Sequence, residues 1–230
     1  MPDDTPAPSQ STADTAAGYD LVASEYANRI VHELDHKPFD RLFLDDFAGM
    51  IPAGKVLDLG CGPGHVGRYL SDKGMSIVGL DISEAMLKIA RDLNPGIEFE
   101  RGDMRKTGFA DRSFAGVVAF YSIIHFAPGD LPTVFAEVRR ILIPGGVLAL
   151  AFHVGSHVLH VDELFGIKTS LDFSFFEPAQ VQEALSAAGF VSITSAQRPP
   201  YPPPVEAQTQ RCYMLADRIE TGAAARCPPP

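Results

Sequence analysis

The stretch Lys55 to Leu70, KVLDLGCGPGHVGRYL, constrains this chain more than any other. Val56-Leu57-Asp58-Leu59 is an apolar run broken by one carboxylate, long enough for a buried strand and too short for a helix. Gly60, Gly62 and Gly64 follow on alternate positions, and His65 to Leu70 resumes a helix-compatible pattern. A strand, a glycine-rich turn and a helix make a nucleotide-type site. Glycine lets the backbone turn tightly and keeps Cβ atoms out of a ligand's way. The helix start offers free N–H groups at its positive end.

Two ligand classes compete for such a turn. Gly62-Pro63-Gly64-His65-Val66-Gly67 matches G-x-G-x-x-G, the dinucleotide fingerprint, so an NAD(P)-binding oxidoreductase is one reading. Asp58, two residues before the first glycine, argues against it. A carboxylate there repels a pyrophosphate and suits a ligand that carries an ammonium group. The 230 residues also leave no room for a full second catalytic domain after a dinucleotide domain. The run D-L-G-C-G-P-G resembles motif I of the class I S-adenosylmethionine-dependent methyltransferases, of the small-molecule type.

Composition narrows the partners. The length suits one α/β domain, and a hydrophobic fraction of 46% supports a sizeable core. The formal net charge is −10 and no basic stripe is present, which argues against a nucleic-acid substrate. No apolar run reaches membrane-spanning length, and the acidic, polar start lacks the features of a secretory signal. Cys61, Cys212 and Cys227 are odd in number and scattered, as expected of reduced thiols in a cytoplasmic protein with no metal site.

Read in order, residues 1–17 hold little to bury and are expected to be disordered. One domain over 18–220 follows, with cap helices in 19–50, and then a flexible tail over 221–230. Tyr19, Val22, Ala23, Tyr26 and Ile30 share a helical face. Strands are expected at 56–59, 76–80, 97–101, 114–120, 147–152, 191–197 and 211–219, with Pro144-Gly145-Gly146 as a turn. Asp81 ends the second strand about 20 residues after the glycine turn, where an acidic residue binds ribose hydroxyls. Ser83 suits a helix cap. Gly102-Asp103-Met104 follows the third strand, and the wholly apolar FAGVVAF (114–120) reads as a central parallel strand.

Beyond motif I, the resemblance rests on Asp81, on Asp103-Met104 and on the run Ile141 to Leu150, and it spans roughly 19–219. Y-D-x-x-A-x-x-Y also resembles the first helix of small-molecule members. The resemblance implies a Rossmann-like, doubly wound α/β fold with a seven-stranded sheet in the order 3-2-1-4-5-7-6, the last strand antiparallel. It also implies an S-adenosyl-L-methionine pocket at the carboxyl ends of strands one, two and four. The residues it places there are Tyr26, Asp58, Gly60, Cys61, Gly62, Gly64, Asp81, Ile82, Asp103, Met104 and Phe120. Asp103 would accept from the adenine amino group, with Met104 packed on the ring.

His125 follows the fourth strand, at the ends of strands where open α/β sheets bind ligands. It is the candidate general base, neutral among apolar neighbours, for an oxygen or nitrogen nucleophile on a small molecule. A cofactor-binding member without transfer activity is the second alternative. Residues 153–176 are expected to form a lid over the acceptor. His153, His157 and His160 would share a face only if helical, and no metal is expected there. A monomer or homodimer fits these features.

Overall fold

The computed structural model describes residues 10–219, so the expected tail at 221–230, with Cys227, lies outside the described residues, as do residues 1–9. The elements in order are α1 (Thr12–Ile30), α2 (Pro38–Met50), β1 (Lys55–Leu59), α3 (His65–Ser71), β2 (Ser76–Asp81), α4 (Glu84–Leu93), β3 (Glu98–Arg101) and β4 (Phe114–Phe120). Then come α5 (Leu131–Ile141), β5 (Leu142–His153), β6 (Val158–Leu164), β7 (Ile167–Ser174), α6 (Pro178–Ala187), β8 (Val191–Arg198) and β9 (Arg211–Asp217).

Seven strands form one sheet in the order β3-β2-β1-β4-β5-β9-β8. The pairs from β3 to β5 are parallel, and β9 runs antiparallel to both β5 and β8. Leaving out the β6–β7 hairpin, which pairs only with itself, this is the expected 3-2-1-4-5-7-6. All residues of β4 and β9 are buried, because strands covered on both faces have no wet side. One core cluster packs Val134, Phe135, Val138, Val181 and Leu185 of α5 and α6 against the sheet. Another packs Phe43, Phe47, Val66 and Leu70 of α2 and α3. Among the described residues no helix is long and apolar enough to cross a membrane.

Three expectations need correction. The disordered stretch to residue 17 is too long, since α1 begins at Thr12. Ser11 caps it by accepting from Asp14 N, and Thr15 and Ala16 are buried. The small residues that looked unable to bury anything are what let α1 approach its neighbours closely. A Cβ at Gly18 would lie 2.7 Å from Leu171 Cδ2, and Thr169 Oγ1 donates to Gly18 O at 3.0 Å. Second, β5 starts at Leu142, so the Pro144-Gly145-Gly146 turn is an irregularity within the strand, where the register shifts between Phe114 and Gly116 of β4. Third, the irregular lid is a regular hairpin, β6–β7, packed on α1.

Candidate functional site

A cavity opens at the carboxyl ends of β1, β2 and β4, with α1 forming its outer wall. The glycine turn is tied to β2 because Gly60 N and Cys61 N both donate to Leu80 O, at 2.7 and 3.1 Å. Gly62 N donates to Asp81 Oδ2 at 2.8 Å, and Ser83 N to Oδ1 at 2.9 Å. Asp81 thus orients the turn while facing the cavity. Burial raises its pKa, and the N–H donors of Ser83 and Gly62 oppose that shift. Each oxygen keeps a lone pair for a further donor.

The three glycines do different work. Gly62 has φ +51, and a Cβ there would meet only Tyr26 Cε1, at 4.0 Å. The space above it belongs to the cavity. Gly60 has φ +76, and its Cβ would lie 2.3 Å from Ser122 Cβ, so this position is closed by packing. Gly64 is also closed, by Asn94 and Phe99 at 2.9 Å, and it does not line the cavity.

Asp58 is a correction as well. It is 1% exposed, lies outside the cavity wall and accepts from Gly67 N at 2.8 Å. Side chains alternate along a strand, and Asp58 falls on the side of β1 that meets α3. Its carboxylate fastens α3 to the sheet. Burial pushes its pKa up to about 7.

Cys61, Ile82, Met104 and Phe120 line the cavity. Asp103 does too, but Arg105 holds it, with Nη2 at 2.7 Å from Oδ2 and Nε at 3.2 Å from each oxygen. Burial alone would raise its pKa, yet the Arg105 bonds win and lower it. An adenine amino group would share this carboxylate with Arg105. The same guanidinium also donates to Thr12 Oγ1, joining the start of α1 to the loop after β3.

His125 sits on a single 3-10 turn after β4. Its Nδ1 is 3.0 Å from the Asp172 carbonyl. A carbonyl can only accept, so Nδ1 carries the proton and Nε2 the lone pair. The Tyr19 hydroxyl, 2.8 Å away, donates to that Nε2. Burial lowers the His125 pKa to about 4 and raises that of Tyr19 well above its ordinary value. Both groups are neutral near pH 7. Tyr19, placed by sequence only on a helical face, lines the cavity with Tyr26, and their rings meet edge-on at 5.6 Å. The seven-residue spacing of two tyrosines on one helical face was the available signal.

Tyr121, also in the wall, was not foreseen. Its hydroxyl is 2.8 Å from that of Tyr213, which donates to the buried Asp40 at 2.8 Å. The hairpin supplies no residue to the cavity wall; it backs α1 and, through Asp172 O and the Phe173 ring, His125. The three histidines of the 153–176 segment part company. His153 bonds Thr209, His157 stacks on Phe175 at 4.2 Å, and His160 bonds Asp172 and Asp162.

Known proteins resemble this chain over its glycine turn and central strands. A family described as a methyltransferase domain matches residues 56–146, from β1 through the glycine turn to the start of β5. Over that region this chain is similar to S-adenosylmethionine-dependent methyltransferases. A demethylmenaquinone methyltransferase of Renibacterium salmoninarum is 32% identical over 60% of this chain and 58% of its own length. Matches to the next curated relatives span 40% and 59% of their lengths. Among solved structures, a Pyrococcus horikoshii protein is 25% identical, with TM-score 0.64, over 84% of this chain and 98% of that one. The [4+2]-cyclase SpnF shares the fold at TM-score 0.67 and 17% identity, over 92% and 97% of the two chains.

Proposed function

We propose that this chain binds S-adenosyl-L-methionine in the cavity and transfers its methyl group to a small-molecule acceptor through an oxygen or nitrogen nucleophile. The residues present fit that cofactor. Asp81 offers two carboxylate oxygens where ribose hydroxyls are bound in this fold, and the open face of Gly62 lets a ligand lie against backbone. Met104 and Ile82 supply apolar wall beside Asp103. When bound, the cofactor supplies an activated methyl on a sulfonium, so alignment of the nucleophile carries most of the rate.

The observation that carries the reading is the Tyr19–His125 pair in the cavity wall. At rest the Tyr19 hydroxyl donates a hydrogen bond to Nε2 and keeps its proton, which leaves its oxygen lone pairs to accept from an acceptor O–H or N–H. As the nucleophile loses its proton to Tyr19 Oη, the Tyr19 proton moves to His125 Nε2. The Asp172 carbonyl holds the ring in the tautomer that permits this. Relaying a proton in this way contributes about 10²–10⁴-fold. The net charge of −10 supports a small molecule over a nucleic acid, and a cytoplasmic monomer or homodimer is consistent with the sequence.

The test is transfer of a labelled methyl from S-adenosylmethionine to a panel of small hydroxyl and amine compounds. Labelled product is expected. Tight cofactor binding with no transfer to any acceptor class would overturn the transfer step and leave a cofactor-binding member of the family.

A further inference from the structure

Strand β7 pairs only with β6, so among the described residues its other edge meets no strand. Two side chains fill that edge instead. Gln10 Nε2 donates to Ser170 O at 2.6 Å, and Gln10 Oε1 accepts from Asp172 N at 3.0 Å. A carbonyl accepts and an N–H donates, so only this orientation of the carboxamide satisfies both. Gln10 thus pairs with β7 as the peptide group of a neighbouring strand would. In a strand the N–H and C=O of one residue point to the same edge. The Asp172 carbonyl therefore lies beside Gln10, and there it accepts from His125 Nδ1 at 3.0 Å.

One strand edge therefore serves both partners of the Tyr19–His125 pair. It holds His125 at Asp172, and it holds the helix that carries Tyr19 at two points. One is Gln10, next to the Ser11 cap of α1, and the other is Gly18, through Thr169. The Asp172 carboxylate cannot take over from Gln10, because His160 Nδ1 engages it at 2.6 Å. Without the carboxamide, Asp172 N has no acceptor and must find another, which moves the carbonyl beside it. A shift of about 1 Å in a group that aligns a reaction can cost about 10²-fold in rate.

We infer that Gln10 is a positioning residue for the Tyr19–His125 relay: its carboxamide closes the free edge of β7 and keeps the Asp172 carbonyl aimed at His125 Nδ1. This rests on the transfer reading above. Gln10 acts through Asp172 on one side and through the start of α1 on the other.

Two variants test this. Gln10→Met keeps the bulk of the side chain and removes both hydrogen bonds, whereas Gln10→Glu keeps an acceptor for Asp172 N and loses the donor to Ser170 O. NMR of the imidazole nitrogens, with the His125 signals assigned by their loss in His125→Ala, reads the ring tautomer without any turnover. Wild type should show one tautomer, protonated at Nδ1, and Gln10→Met a mixture of two. In Gln10→Met turnover should fall about 10–100-fold, with S-adenosylhomocysteine affinity by calorimetry within about twofold. Gln10→Glu should lie between, and it carries the test if thermal melts show Gln10→Met unfolded. In a His125→Ala background Gln10→Met should cause no further loss. A single Nδ1–H tautomer with full turnover in Gln10→Met would overturn the assignment. So would an equal loss in the His125→Ala background, or a fall in cofactor affinity as large as the fall in turnover. If wild type transfers no methyl group, the transfer reading fails instead, and the tautomer spectra still decide whether Gln10 positions His125.

Discussion

The Tyr19 hydroxyl stands 2.8 Å from Nε2 of His125, although 106 residues separate them in sequence. Helix α1 brings the tyrosine and the turn after β4 brings the histidine, so the pair forms only when α1 is docked. Gly18, beside Tyr19, is the point of that docking, through Thr169 and Leu171 of β7.

If the pair relays a proton, His125→Ala and Tyr19→Phe should each lower turnover by about 10²–10⁴-fold with little change in cofactor affinity. The double variant should be hardly worse than either single one, since both remove the same relay. The wild-type rate should be flat near neutrality and fall only as pH drops through about 4, where His125 protonates. Near wild-type turnover in either single variant would show that alignment alone carries catalysis.

The same shift bears on stability. His125 and His153 are both held at about 4, below the ordinary 6.5. An unfolded chain binds their protons first, so their contribution is complete above about pH 6.5 and lost as pH falls towards 4. Denaturant midpoints measured across that window should decline, and His153→Gln should flatten the decline. An unchanged slope in the variant would remove His153 from the account.

Asp58 has the opposite sign. Its folded pKa of about 7 exceeds the ordinary 3.8, so the folded state is weakened as pH rises from about 4 to 7. Asp58→Asn keeps an oxygen for Gly67 N without the charge. It should raise stability by about 1–4 kcal/mol above pH 7 and by much less near pH 4. A pH-independent change would show that the carboxylate is not the cause.

The glycine turn separates packing from binding. Gly60→Ala places a Cβ against Ser122 at φ +76 and should lower the melting temperature sharply. Gly62→Ala, with open space at φ +51, should cost only about 1–2 kcal/mol of backbone strain while reducing cofactor affinity. Equal stability losses in the two variants would contradict this division.

The order of the sheet was legible because each strand carries its own signal, as the unbroken apolar run of β4 shows. Motif I was legible because glycine at fixed spacing has few structural uses. Asp58 and Gly64 belong to the same motif, yet Asp58 ties β1 to α3 and Gly64 packs on Asn94 and on Phe99 of β3, and spacing cannot separate ligand-facing from packing positions. Tyr19 was missed for another reason. Its pairing depends on His125, a partner 106 residues away in the chain. The 153–176 segment was misjudged because Leu159, Val161 and Leu164 looked like lid residues. They belong to β6, which pairs with β7, and it is β7 that meets α1.

The central claim is that Asp81 and the glycine turn hold S-adenosylmethionine. Titration of wild type and Asp81→Ala with S-adenosylhomocysteine tests it most directly, with thermal melts of both to account for the Gly62 and Ser83 bonds that the variant also loses. The account predicts saturable one-site binding in wild type and at least about tenfold weaker binding in a folded Asp81→Ala. Equal affinity in the two proteins, or no binding to wild type, would contradict it.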